Sequence, residues 1–172
     1  RPTLIAASTH ETEEAFVLDA FKEILAENEE ALLILVPRHP ERFEAVRDYV
    51  EERKLTLARR SKKEDVTPEI QVLLGDTMGE LNFLYSVSDV AFVGGSLVDH
   101  GGQNLLEPAS LGLPICSGKS LRNFKEIANE LEKSKALLLI EGTNDLVKYF
   151  IEIISDPKRK EKIRKASSRV FE

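Results

Sequence analysis

Short runs of Val, Ile, Leu and Ala alternate with amphipathic segments along nearly the whole chain, and this alternation is what most restricts its fold. The runs are "TLIAA" (3–7), "ALLILVP" (31–37), "LTLAR" (55–59), "IQVLL" (70–74), "VAFVG" (90–94), "PICSG" (114–118) and "ALLLI" (136–140). They are too short for stable helices and mostly lack a polar face, so each reads as a strand buried on both sides. Helical periodicity falls between them, over 11–29, 40–53, 79–87, 104–111, 124–134 and 144–155. In the first of these, Ala15, Leu18, Phe21, Ile24 and Leu25 share a face; in the second, Phe43, Val46 and Val50 do. Strands separated by helices predict an α/β domain with a Rossmann-like, doubly wound parallel sheet. The interval "RSKKEDVTPE" (60–69) has no helical signal and reads as a polar loop.

With 172 residues and no internal repeat or linker, 1–172 is expected to be one domain. The chain opens at Arg1 and runs at once into a strand, as expected of a piece of a longer protein. A net charge of −6 argues against non-specific nucleic-acid binding. The charge is uneven: 157–172 holds seven Lys/Arg against two Asp/Glu. That segment reads either as a solvated helix face or as a basic surface for another domain or an anionic membrane. No apolar run approaches the ~20 residues needed to span a bilayer. Cys116 is the single cysteine, expected to be buried in its strand rather than reactive, which suits a reducing compartment.

Doubly wound sheets bind ligands beyond the carboxyl ends of their strands, at helix starts. Four such loops carry polar residues. In "STHE", Ser8 and Glu11 have capping-box spacing; the alternative is that the amides and hydroxyls there receive a phosphate. His10, His39 and His100 show no zinc-ligand spacing, so no metal is expected. Arg38 in "PRHPERF" stands at a strand end, where its planar fork suits phosphate or carboxylate. In "GDTMGEL", Asp76 or Thr77 can cap a helix and Glu80 complement its dipole, but Met78 in a turn is exposed unless it packs on something flat, such as a nucleobase. The fourth loop, "GGSLVDHGGQN", has neither a GxGxxG nor a Walker pattern. Its glycines allow backbone to approach a ligand and aim successive amides at an anion. Asn104 then caps a helix in whose first turn Glu107 falls; that acid either complements the dipole or accepts hydrogen bonds from a ribose.

"PRHPERF", "GDTMGELNFLYSVSDVAFVGGSLV" and "HGGQNLLEPASLGLP" together resemble the carboxyl-terminal half of bacterial 3-deoxy-D-manno-octulosonic acid (Kdo) transferases. The resemblance runs from "AASTHETEE" to "NFKEIA" and is looser beyond. It implies a GT-B glycosyltransferase, with the donor CMP-Kdo on this domain and the lipid A precursor and catalytic base on an amino-terminal domain outside this chain. It implies no cofactor or metal, no catalytic residue here, and a full-length protein at the cytoplasmic face of the inner membrane. Ser8, Thr9 and His10, with Arg38 and His39, would face the phosphate. Gly75, Asp76, Thr77, Met78, Gly79 and Glu80 would line the cytosine. Ser96, Asn104, Leu105 and Glu107 would hold the sugar-phosphate and ribose, with Gly94, Gly95, Gly101 and Gly102 leaving room. Asp99, Gln103 and "GKSLRNF" (118–124) depart from the family's usual residues. The readings left beside this one are a GT-B enzyme or epimerase with a UDP-sugar, and a non-catalytic nucleotide-binding module.

Overall fold

The computed structural model describes residues 1–171. Its strands are β1 (Thr3–Thr9), β2 (Leu32–Pro37), β3 (Leu57–Arg59), β4 (Val72–Leu74), β5 (Val90–Val93), β6 (Ile115–Ser117) and β7 (Leu137–Leu139). Its helices are α1 (Glu13–Glu27), α2 (Phe43–Glu52), α3 (Leu81–Ser86), α4 (Leu106–Ser110), α5 (Lys125–Lys133), α6 (Thr143–Ile154) and α7 (Pro157–Val170). Every run read as a strand pairs in parallel, in one sheet of order β3-β4-β2-β1-β5-β6-β7. The loop after β3 is less irregular than expected: it begins with a 3-10 turn, Arg60–Lys62.

Burial on both faces follows directly from the strand period of two. In β1, Leu4 and Ala6 join a cluster with Val17, Phe21 and Ile24 of α1, Val46 and Val50 of α2, and Phe150 of α6. Ile5 and Ala7 point the other way, into a cluster with Leu84 and Tyr85 of α3. Cys116 is fully buried in β6, and burial pushes its thiol well above the ordinary range, so it is a packing residue. The basic tail forms α7, with Ile163 buried. Two of its cations pair outside the helix, Lys160 to Asp89 at 2.6 Å and Arg159 to Glu152 at 2.9 Å, and Arg164 pairs with Glu161 within it.

The winding direction reverses at β1. From there the chain goes to β2 on one side, then returns through α3 to β5 on the other. The crevice between the carboxyl ends of β1 and β5 is therefore the topological switch point.

Candidate functional site at the switch point

Strands β4, β2, β1 and β5 are consecutive in the sheet, so the four loops singled out in the sequence emerge side by side at one edge. Direct contacts join them. The Arg38 amide donates to Thr9 O at 2.8 Å, and Gln103 Nε2 lies 2.9 Å from His10 Nε2. His10 lies between His39 and His100, with ring centroids 5.3 and 4.2 Å away. Glu107 reaches the α3 side: burial, and then this carboxylate, push the Tyr85 phenol above its usual range.

The glycines proved to have a different purpose from the one expected. At Gly94 an added Cβ would stand 2.4 Å from Ser8 O, so the residue allows β1 and β5 to end in contact. Gly101 and Gly102, at φ 78° and 81°, are pressed against Asn123 and Leu121 of the protein itself. They shape the loop rather than clear room for a ligand.

The successive amides do meet an anion, but an internal one. Glu13, at the start of α1 and fully buried, accepts from Gly95 N at 2.8 Å, Ser96 N at 3.3 Å, Leu97 N at 3.1 Å and His10 N at 2.9 Å. This replaces the Ser8–Glu11 capping box: Glu11 is exposed, α1 begins two residues later, and Ser8 takes a left-handed φ of 57°. His10 N, one of the amides expected to receive phosphate, belongs to Glu13. The sequence carries a signal for this: Glu13 is in phase with Val17, Ala20 and Ile24 on the apolar stripe of α1. Glu14 is likewise buried and paired with Arg42 at 2.8 Å; burial raises its carboxyl above the usual range.

Other residues assigned to the ligand are held by the fold. Asp76 accepts from Arg59 Nε at 2.7 Å, Ser61 Oγ at 2.6 Å and Ser61 N at 2.8 Å. Glu80 accepts from Thr77 Oγ1 at 2.5 Å and Arg60 Nη2 at 2.8 Å. Ser96, 2% exposed, donates to Val93 O and accepts from Gly118 N. Leu105 is in the core; Thr9 is fully buried, with its Oγ1 unpaired among the described residues. Asn104 is not the expected cap: Leu105 holds the N-cap position of α4, and Asn104 Oδ1 instead accepts from Leu106 N at 2.9 Å in the turn leading into the helix.

Among the described residues, the groups that remain unengaged at this edge stand out by contrast. Arg38 is exposed and its guanidinium has no partner; half-buried Glu107 has none for its carboxylate. Met78 is 73% exposed in its turn, and Gly75 and Gly79 flank the 76–78 segment. Asp99, one of the sequence's departures, is paired with Arg122. No group of three His, Cys, Asp or Glu among the described residues is arranged to hold a metal ion. The site is an open rim. A hollow of about 380 Å³ adjoins it, lined by Ser96, Leu97, Lys119 and Ile140.

Comparison with known proteins identifies the family and the fold. The family described as "Glycosyl transferases group 1" matches residues 8–170. A 3-deoxy-D-manno-octulosonic acid transferase of Haemophilus influenzae is 44% identical over 158 residues, 92% of this chain and 37% of that protein. One of Bordetella pertussis is 35% identical over 171 residues, 97% of this chain and 40% of its own. The chain thus spans about two fifths of the curated relatives it matches. The crystallised C-terminal CMP-Kdo binding domain of WaaA from Acinetobacter baumannii superposes with a TM-score of 0.95 at 35% identity, covering 100% of this chain and 90% of that one.

Proposed function

The chain belongs to the group 1 glycosyl transferases and, within them, to the Kdo transferases as a carboxyl-terminal domain, and from this we propose that it is the half that binds the donor CMP-Kdo. One observation carries the reading: among the residues the four loops bring to the switch point, Arg38 and Glu107 supply a cation and an acid with no hydrogen-bonded or ion-paired partner among the described residues. A guanidinium suits the phosphate, and a carboxylate can accept two hydrogen bonds from the vicinal ribose hydroxyls. Exposed Met78 offers an apolar surface to the cytosine.

In the whole enzyme, an acceptor hydroxyl on a lipid A precursor attacks the Kdo carbon as the bond to CMP breaks, with inversion. The base that takes the hydroxyl proton belongs to the amino-terminal acceptor domain, outside this chain. This half stabilises the charge gathering on the departing phosphate through Arg38. The isolated chain is inert by this account. The full-length protein works at the cytoplasmic face of the inner membrane, where its acceptor lies. The family assignment disfavours a UDP-sugar enzyme or a non-catalytic module.

Half of the cleft wall is absent, so CMP should bind in roughly the millimolar range. Glu107→Ala should weaken it by about 1–3 kcal/mol, the cost of losing paired hydrogen bonds to a sugar. Calorimetry with CMP measures this, with circular dichroism checking the fold. Unchanged affinity would remove Glu107 from the site.

A further inference from the structure

All three histidines of the sequence meet at the crevice, although they come from loops after three different strands. The His10 and His100 rings stack with their planes 14° apart, and His39 presents its edge to His10. Gln103 Nε2 lies 2.9 Å from His10 Nε2. An amide nitrogen only donates, so this ring nitrogen accepts and neutral His10 carries its proton on Nδ1.

The charges around His10 come from each neighbouring loop. Arg38 and His39 follow β2; His100 and Asp99 follow β5, with Asp99 neutralised by Arg122. Glu13, on α1, is bound to four amides. Burial, followed by His100, pushes the His10 imidazole below its ordinary value; Glu13 opposes this, while His39 and Arg38 add to it. A proton on His10 therefore meets two obstacles in the free domain. It is repelled by its neighbours, and its new Nε2–H confronts the Gln103 amide nitrogen. A bound anion relieves the first. Turning the Gln103 amide over, so that Oε1 accepts, relieves the second.

We propose that His10, His39 and His100, with Arg38, form a proton-coupled anion cradle: binding the phosphate of the nucleotide draws a proton onto the cluster, with Gln103 reversing its amide. The proposal rests on the donor reading above and adds to it a linkage between affinity and pH. The bound anion favours the protonated form of His10, opposing the burial that disfavours it in the free domain. The extra affinity is thus fully present below the free-state value and is lost as pH rises through the bound-state value, within the usual histidine range of about pH 5–8.

The test is calorimetric titration with CMP at about pH 5.5 and about pH 7.5, the span in which histidine changes charge. It uses two buffers of different ionisation enthalpy and compares the native chain with His100→Gln. The substitution is at an exposed position, and circular dichroism verifies its fold. The phosphate of CMP titrates in the same range, but equally for both proteins, so their difference isolates the cluster. The native chain should take up more protons than the variant and gain up to about tenfold more affinity on acidification, the equivalent of one pKa unit. Equal proton uptake with CMP bound would overturn the cradle alone. No CMP binding at either pH would overturn both the cradle and the donor reading.

Discussion

Glu13→Ala is expected to destabilise the domain by about 3–5 kcal/mol, because it leaves buried donors without their charged acceptor. In the native chain one carboxylate receives four amides: His10 and Gly95 on Oε1, Ser96 and Leu97 on Oε2. Neither water nor a neighbouring side chain can readily replace it at a fully buried position. Glu13→Gln discriminates between charge and geometry. It can keep the Oε1 bonds, but its amide nitrogen then faces Ser96 N and Leu97 N, donor against donor, so about half the loss should persist. Urea unfolding should show a lowered midpoint with an unchanged slope. A midpoint like that of the native chain in both variants would mean that the β5–α4 loop holds its shape without this acid. CMP affinity should fall with stability, since the same loop leads to Glu107.

Asp76→Ala is the second large effect, about 3 kcal/mol, the scale for breaking a buried ion pair on one side. Asp76 and Arg59 side chains are 1% and 11% exposed, and the substitution leaves Arg59 only the exposed Glu44. The loss should depend on pH. Burial alone would raise the Asp76 carboxyl, but hydrogen bonds from Ser61 and Arg59 outweigh it and hold the group below its ordinary value. A depressed carboxyl contributes stability that is complete above the unfolded-chain value of about 3.9 and is lost as pH falls through the folded value. The gap between native and Asp76→Ala midpoints should thus be steady near neutrality and narrow below about pH 4. A gap that stays constant into acid would show that the ion pair contributes nothing.

The sheet was legible because its signal is redundant. Each strand is a continuous apolar run, and the parallel order follows from helices long enough to cross back over it. Leu4 and Ala6 against Ile5 and Ala7 repeat the same two-faced burial that the pattern implies. The four loops were legible as strand ends, while the strand order that makes them neighbours came from the fold. The role of each polar residue was harder to read, because a carboxylate that binds a ligand and one that binds its own backbone look alike in sequence. Asp76 and Glu80 resembled ligand groups; their partners Arg59 and Arg60 come from the end of β3 and the turn after it, a contact that only the fold creates. Glu13 was passed over because acids early in a helix are ordinary, and only its phase with Val17 and Ile24 marks it as inward-facing. Asp99 departs from the family's usual residue, and its partner Arg122, 23 residues on, is set beside it only by the fold.

The central claim is that a cytidine nucleotide sits on the rim where β1 and β5 part, gripped by Arg38 and Glu107. An NMR titration of the domain with CMP, and in parallel with UMP, tests it most directly. CMP should move the amide signals of His10, Arg38, Met78 and Glu107 together along one binding curve, and UMP should bind more weakly. Movement confined to other parts of the sheet edge, or tighter binding of UMP, would contradict it.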